Sequence, residues 1–231
     1  MGRQLLALAG DDGRFSRLME LGTDSDWSQV PAVDVLVDFS SPEGLQQALA
    51  HCRARRTALV SGTTGFGDDG EQALDAAAHD IAVLHASNFS LGVAVLVRLL
   101  GQAAAMLPDW DLEIVEAHHA AKLDAPSGTA LTLGRAAAEA RDLDFDAARQ
   151  SARRGQGGPR QKGEIGFASL RAADIVGEHT ALLATAGERL ELGHRATDRA
   201  IFARGALAAA AWLAGREPGR YTLDDMLADK P

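Results

Sequence analysis

The chain has 231 residues, 46% hydrophobic and 24% charged, which is enough for one large domain or two small ones and too balanced for a disordered chain. A formal net charge of −9 argues against a general nucleic-acid binder, which needs a basic face, while leaving an anionic small molecule open. The lone Cys52 excludes an internal disulfide, Arg or Gly interrupts every long apolar run, and no secretory signal opens the sequence, so a cytoplasmic protein without a membrane segment is expected.

In chain order, Val33 to Phe39 (VDVLVDF) reads as a buried parallel strand. Ser40, Ser41 and Pro42 cap a helix that runs to Cys52. Thr57 to Ser61 is the next strand, closed by Gly62-Thr63-Thr64-Gly65, then a helix near Glu71 to Ala78 and a strand over Ile81 to Ala86. Strands and helices alternating at this spacing call for right-handed crossovers and a parallel sheet. From Ser90 the pattern changes: a long apolar helix over Leu91 to Ala105, a strand over Leu112 to Ala117, and a helix starting at Ser127. A basic, Gly-rich loop follows at Arg153 to Lys162. Strands over Ile165 to Leu170, His179 to Ala184 and Arg189 to His194 then come without helices between them, which suggests a mixed or antiparallel sheet in a separate domain. A last helix, Ala200 to Leu213, is expected to return to the first domain. The fold class is α/β, with residues 1–89 and 200–231 in one domain and 90–199 in the other.

The stretch richest in chemistry is Glu116 to Ala130, EAHHAAKLDAPSGTA. Pro126-Ser127-Gly128-Thr129 opens a helix whose first amides lack intrahelical partners, a natural seat for a carboxylate or phosphate. Ser127 suits the N-cap, with its hydroxyl serving either the helix or a ligand. Upstream, His118 can exchange a proton near neutral pH, and Lys122 offers a fixed positive charge beside it. An ordinary capped helix behind a solvated loop is the plainer alternative. A metal is not expected, because adjacent histidines diverge and no H-E-x-x-H or cysteine cluster completes a ligand set. Gly62 to Phe66 and Ala86-Ser87-Asn88-Phe89-Ser90 each follow a strand of the first domain, where open parallel sheets bind ligands. Either is equally readable as a turn or a helix cap.

The blocks VDFSSPEG, SGTTGF, ASNFSLGV, IVEAHHAAKLDAPSGTA, LRAADIVGEHT and GERLELGHRATDR, in this order, resemble those of the dihydrodipicolinate (4-hydroxy-tetrahydrodipicolinate) reductases. The resemblance implies a Rossmann-type domain for a dinucleotide and a C-terminal α+β domain for substrate binding and assembly as a homotetramer. It implies hydride transfer from NADH or NADPH to a cyclic imine dicarboxylate in lysine and diaminopimelate synthesis. On it, His118 is the general acid and Lys122 protonates or holds the anionic intermediate, while His119, Ser127, Gly128 and Thr129 grip substrate carboxylates. Gly62, Thr63, Thr64, Ala86, Ser87, Asn88 and Phe89 would contact the cofactor.

The dinucleotide fingerprint of a strand, a glycine loop and a helix is represented only by its tail, Met1-Gly2-Arg3, with Gly2 at its last glycine. Arg14 to Glu20 loosely matches the second strand of such a domain, ending with Glu20 about where an acidic residue would take the ribose hydroxyls, although a solvated charge on a helix or loop is the plainer reading; Leu21 to Pro31 reads as a shortened arm. The chain as given is therefore expected to bind NAD(P)H poorly. The competing expectations are a remnant of such a reductase that only binds a ligand or assembles, and a different Rossmann-type dehydrogenase acting on an aspartate-derived aldehyde.

Overall fold

The computed structural model describes residues 1–151, 153, 155–156 and 158–229. Arg154 and Gly157 of the basic loop lie outside the described residues. The first elements are α1 (Gly2–Gly10), β1 (Val35–Asp38), α2 (Pro42–Arg55), β2 (Ala58–Ser61), α3 (Gly67–Ala78) and β3 (Ala82–His85). Then come α4 (Leu91–Met106), β4 (Asp111–His118), α5 (Gly128–Ala140), α6 (Phe145–Ala148) and β5 (Arg149–Gln150). The remainder is β6 (Ile165–Arg171), β7 (Gly177–Thr185), β8 (Glu188–Ala196), α7 (Ala200–Leu213), β9 (Gly219–Tyr221) and α8 (Leu223–Ala228). Among the described residues, no helix is long and apolar enough to cross a membrane.

Two compact units result, Met1–Leu91 with Ala200–Pro231, and Gly92–Arg199. The first holds a parallel sheet in the order β1-β2-β3-β9. All four residues of β2 are buried, as a strand covered on both faces requires. Leu45, Leu49, Cys52 and Leu74 from α2 and α3 pack with Leu36, Leu59 and Val83. The closing helix α7, rich in buried alanine, also packs on β1, β2 and β3, and α1 lies against it. Ser41 caps α2 by accepting a hydrogen bond from the Gly44 amide, with Pro42 at the first turn. Burial, and then the charge of Asp38, pushes the Cys52 thiol up to about 12, which makes it a packing residue.

Arg14 to Glu20 is not a strand, in keeping with the plainer reading of a solvated segment. The segment is irregular and largely exposed, and Arg14 folds back onto Asp12 at 2.6 Å. Among the described residues no strand offers it a ladder, and an isolated extended segment leaves its amides to water.

The second unit is a five-stranded mixed sheet, β5-β6-β4-β7-β8, in which β4 runs parallel to β6 and antiparallel to β7. One face is covered by α4 and α5: Leu96, Leu100, Leu133 and Ala137 pack on Leu112, Ile114, Ile165, Phe167 and Leu183. Burying each such leucine or isoleucine is worth roughly 1.5–3 kcal/mol, so this layer dominates the unit's stability.

Candidate active site

Strand alternation places Leu112, Ile114, Glu116 and His118 of β4 on one sheet face. The first two belong to the apolar core, and the polar pair follows at the carboxyl end. Pairing completes the set, for Glu116 lies opposite Ser169 of β6 and His179 of β7, and His118 opposite Arg171. His194 of β8 stands opposite His179. A single face is thus hydrocarbon at one end and ionisable at the other.

Glu116, only 1% exposed, is the hub. Its Oε2 accepts from His118 Nδ1 at 2.5 Å and from Arg171 Nη1 at 2.9 Å. Its Oε1 accepts from Arg171 Nη2 at 2.8 Å and from the Ser127 amide at 3.3 Å. Burial alone would raise the carboxyl pKa, but hydrogen bonds from Arg171, Ser169 and His118 outweigh it and hold the group at about 2. An ionised carboxylate only accepts, so Nδ1 of His118 carries a proton and Nε2 is the ring atom left for a reactant. A Cβ on Gly177 would stand 3.1 Å from that Nε2, so the absent side chain makes room for the ring.

The neighbouring imidazole behaves differently. His179 is buried, edge-on to His118 with ring centroids 5.1 Å apart. Burial, then the charge of His118, pushes it down to about 4, so it is neutral at neutral pH. Its Nε2 lies 3.0 Å from Ser127 Oγ, while its Nδ1 has no hydrogen-bond partner. Ser127 caps α5, its hydroxyl accepting from the Ala130 amide at 3.2 Å. The proton-bearing ring and the helix start are therefore tied to one carboxylate.

Lys122 sits in the loop leading to that helix and donates to Asp124 Oδ1 at 2.7 Å. The Asp124 carbonyl is in turn held by Arg171 Nη2 at 2.5 Å, which fastens the loop to the sheet. Lys122 is close enough for its charge to contribute to the depressed pKa of His179. His119 is half-buried and accepts from the Lys122 amide through its carbonyl. Gly128 is exposed, with nothing within 4 Å of where a Cβ would stand, and Thr129 is half-buried. The sequence reading overlooked Glu116, Arg171 and His179. The Glu-x-His spacing on β4 was the one available sign, because strand residues two apart share a face.

In the first unit, Gly62, Thr63, Thr64 and Gly65 follow β2, and Ala86, Ser87, Asn88 and Phe89 follow β3. Thr64, Gly65 and Ser87 are exposed, while Gly62, Ala86 and Asn88 are half-buried. Gly65 has φ +83° and Gly67 φ +61°, conformations that favour glycine. Thr63 and Phe89 turn inward. The Thr63 hydroxyl donates to Asp38 Oδ2 at 2.8 Å, and Phe89 packs its ring 5.4 Å from that of Phe39. Asn88 Oδ1 accepts from the Ser90 amide at 2.8 Å. Gly2 is an exposed residue at the start of α1, and Glu20 lies in the irregular segment rather than at a strand end. Among the described residues, no group of three or more His, Cys, Asp or Glu is arranged to hold a metal ion.

A family model described as dihydrodipicolinate reductase, N-terminus, matches residues 7–89, and one described as dihydrodipicolinate reductase, C-terminus, matches residues 92–227. Among solved structures, a dipicolinate-bound dihydrodipicolinate reductase from Paenisporosarcina sp. TG-14 has the same fold, with a TM-score of 0.73 and 22% identity over 96% of this chain and 92% of that one. An aspartate dehydrogenase from Thermotoga maritima matches more distantly, with a TM-score of 0.43 and 10% identity over 89% and 90% of the two chains.

Proposed function

The chain belongs to the dihydrodipicolinate reductase family, whose activity is NAD(P)H-dependent reduction of dihydrodipicolinate, and from that premise we propose which of its residues carry the reaction. The reduced nicotinamide supplies a hydride when bound. The exposed Thr64, Gly65 and Ser87, with the half-buried Gly62, Ala86 and Asn88, suit its amide and ribose groups. Thr63 and Phe89 act from below, shaping those loops, and Gly2 and Glu20 are the further cofactor candidates. NADH or NADPH fills this role.

In the second unit, His118 delivers a proton from Nε2 to the electron-rich site that hydride addition creates, a contribution typically worth 10²–10⁴-fold in rate. Lys122 offsets the developing negative charge. Gly128 and Thr129, at the start of α5, receive a substrate carboxylate with help from His119, and Ser127 fixes that helix start. The observation that carries this reading is the shared carboxylate of Glu116, which ties His118 to Ser127. A small dicarboxylate is the ligand class, as in the dipicolinate-bound neighbour. Family matches across both units support a working reductase over a non-catalytic remnant.

The reaction belongs to lysine and diaminopimelate synthesis, with the cytoplasm as its setting. Assembly as a homotetramer is supported by the uncovered sheet face, where Leu170 of β6 is 56% exposed and Leu182 of β7 half-buried; light scattering gives the mass. The test of the main reading is turnover of freshly generated dihydrodipicolinate, followed by loss of reduced nicotinamide absorbance. His118→Gln is expected to lower kcat by about 10²–10⁴-fold while nucleotide titrations stay unchanged. Unaltered turnover in that variant would remove His118 from the mechanism.

A further inference from the structure

The strand residue two positions before the proton donor does more than fill the core. We infer that Glu116, clamped by Arg171, is a positioning residue that keeps His118 in the Nδ1–H form with Nε2 turned to the substrate for proton delivery. This rests on the reading of His118 as the general acid and deepens it.

Three observations support the inference. First, Glu116 is almost fully buried, yet each of its oxygens receives at least two hydrogen bonds, Oε2 from His118 and Arg171 and Oε1 from Arg171 and the Ser127 amide, with Ser169 a further donor. Such a carboxylate has no freedom to rotate, so the direction of the His118 ring is set with it. Second, Arg171 grips Glu116 through two parallel N–H···O bonds, the arrangement in which arginine gives most orientation. Its second amino group also holds the Asp124 carbonyl, so the sheet, the Lys122 loop and the helix start share one anchor. Third, the other imidazole within reach, His179, has no hydrogen bond to a carboxylate among the described residues, and its Nε2 lies 3.0 Å from Ser127 Oγ. Of the two histidines in edge contact, His118 is the one whose Nδ1 is fixed by the Glu116 carboxylate.

The proton balance is simple. His118 gives the Nε2 proton to the substrate and is left neutral, with Nδ1–H still on Glu116, and solvent restores the lost proton. Glu116 itself takes no proton. The groups facing His118 are Glu116 on its own strand, Arg171 and Ser169 on β6, His179 on β7, His194 on β8, and Lys122 and Asp124 from the loop. Among these, Glu116 is the one in direct hydrogen bond with the ring.

The test couples two measurements. In wild-type protein, nitrogen-15 NMR of the histidine rings should show His118 with its proton on Nδ1 when neutral, and this needs no activity. In Glu116→Gln, the alkaline limb of the kcat–pH profile should move down by about one unit or more, with kcat at pH 8 falling on the order of 10²-fold and KM changing less than about threefold. Glu116→Gln/Arg171→Met, which removes both charges together, should shift the limb in the same way. A merely structural role would lower the folded fraction without moving the limb. An Nε2–H tautomer in wild type, or an unmoved limb in both variants, overturns the inference. Absence of turnover in the wild type would instead overturn the reading it rests on, while the NMR result would stand.

Discussion

Each unit buries one carboxylate beside a site, and the two are furnished in opposite ways. Asp38 ends β1 and accepts from the Ser61 and Thr63 hydroxyls and from the amide and hydroxyl of Ser40, all neutral donors. Glu116 on β4 accepts from a guanidinium and an imidazole. Neutral donors fix the path of a loop without bringing a formal charge to it. Cationic donors fix a path too, and they also set where a proton resides. The first arrangement suits a nucleotide platform, which must be rigid and chemically quiet. The second suits a place where charge changes during turnover.

The largest effect expected from this contrast is on stability. Asp38→Ala strands four donors and should cost about 3 kcal/mol in urea unfolding and weaken nucleotide binding. It should leave the kcat–pH profile in place, and a displaced alkaline limb would break the distinction between the two carboxylates. Next comes a pH effect from His179, whose ordinary pKa of 6.5 falls to about 4 in the fold. Between those values the unfolded chain binds a proton that the folded chain refuses, so stability falls as pH drops through the window, by up to about 3 kcal/mol. Burial depresses His194 and His51 in the same direction. Glu116, with its depressed pKa, contributes stability that is lost only below about pH 4.5. His179→Asn should therefore shrink the stability difference between pH 7 and pH 5, and an unchanged difference would show that His179 is not the group that titrates. The smallest effect is that of Gly177→Ala. Its methyl would press on the His118 ring and should cost about threefold in kcat, with nucleotide affinity unchanged.

Much of this fold is written locally. The alternating runs around Val33 to Phe39 and Leu112 to Ala117 form strands because their periodicity is strong, and Ser127 caps α5 because its chemistry matches the position. Other features depend on pairing, which a linear reading cannot supply. Arg171 reaches Glu116 across 55 residues of chain, and only the parallel register of β4 and β6 brings them together. The role of His179 escapes a linear reading for the same reason, because it comes from the residue opposite it. The three-residue β9 is too short to show a period, and it forms because β3 offers it a ladder. Arg14 to Glu20 is the reverse case, a loosely strand-like segment with no ladder on offer. Phe89 and Thr63 sit at the expected loops with their side chains turned inward, because the core and Asp38 compete for those groups.

Helix α7 belongs to the first unit although it is made after the whole of the second. Its Gly205 lies against the Phe89 carbonyl so closely that a Cβ there would stand 1.7 Å from the oxygen, so the loop after β3 sets into its final form against a segment more than a hundred residues later. On the ribosome, Gly92–Arg199 is therefore complete and free to fold while the earlier-made unit still waits for its last helix. A nascent chain released early would carry a finished Glu116–His118 cluster and an unfinished parallel sheet.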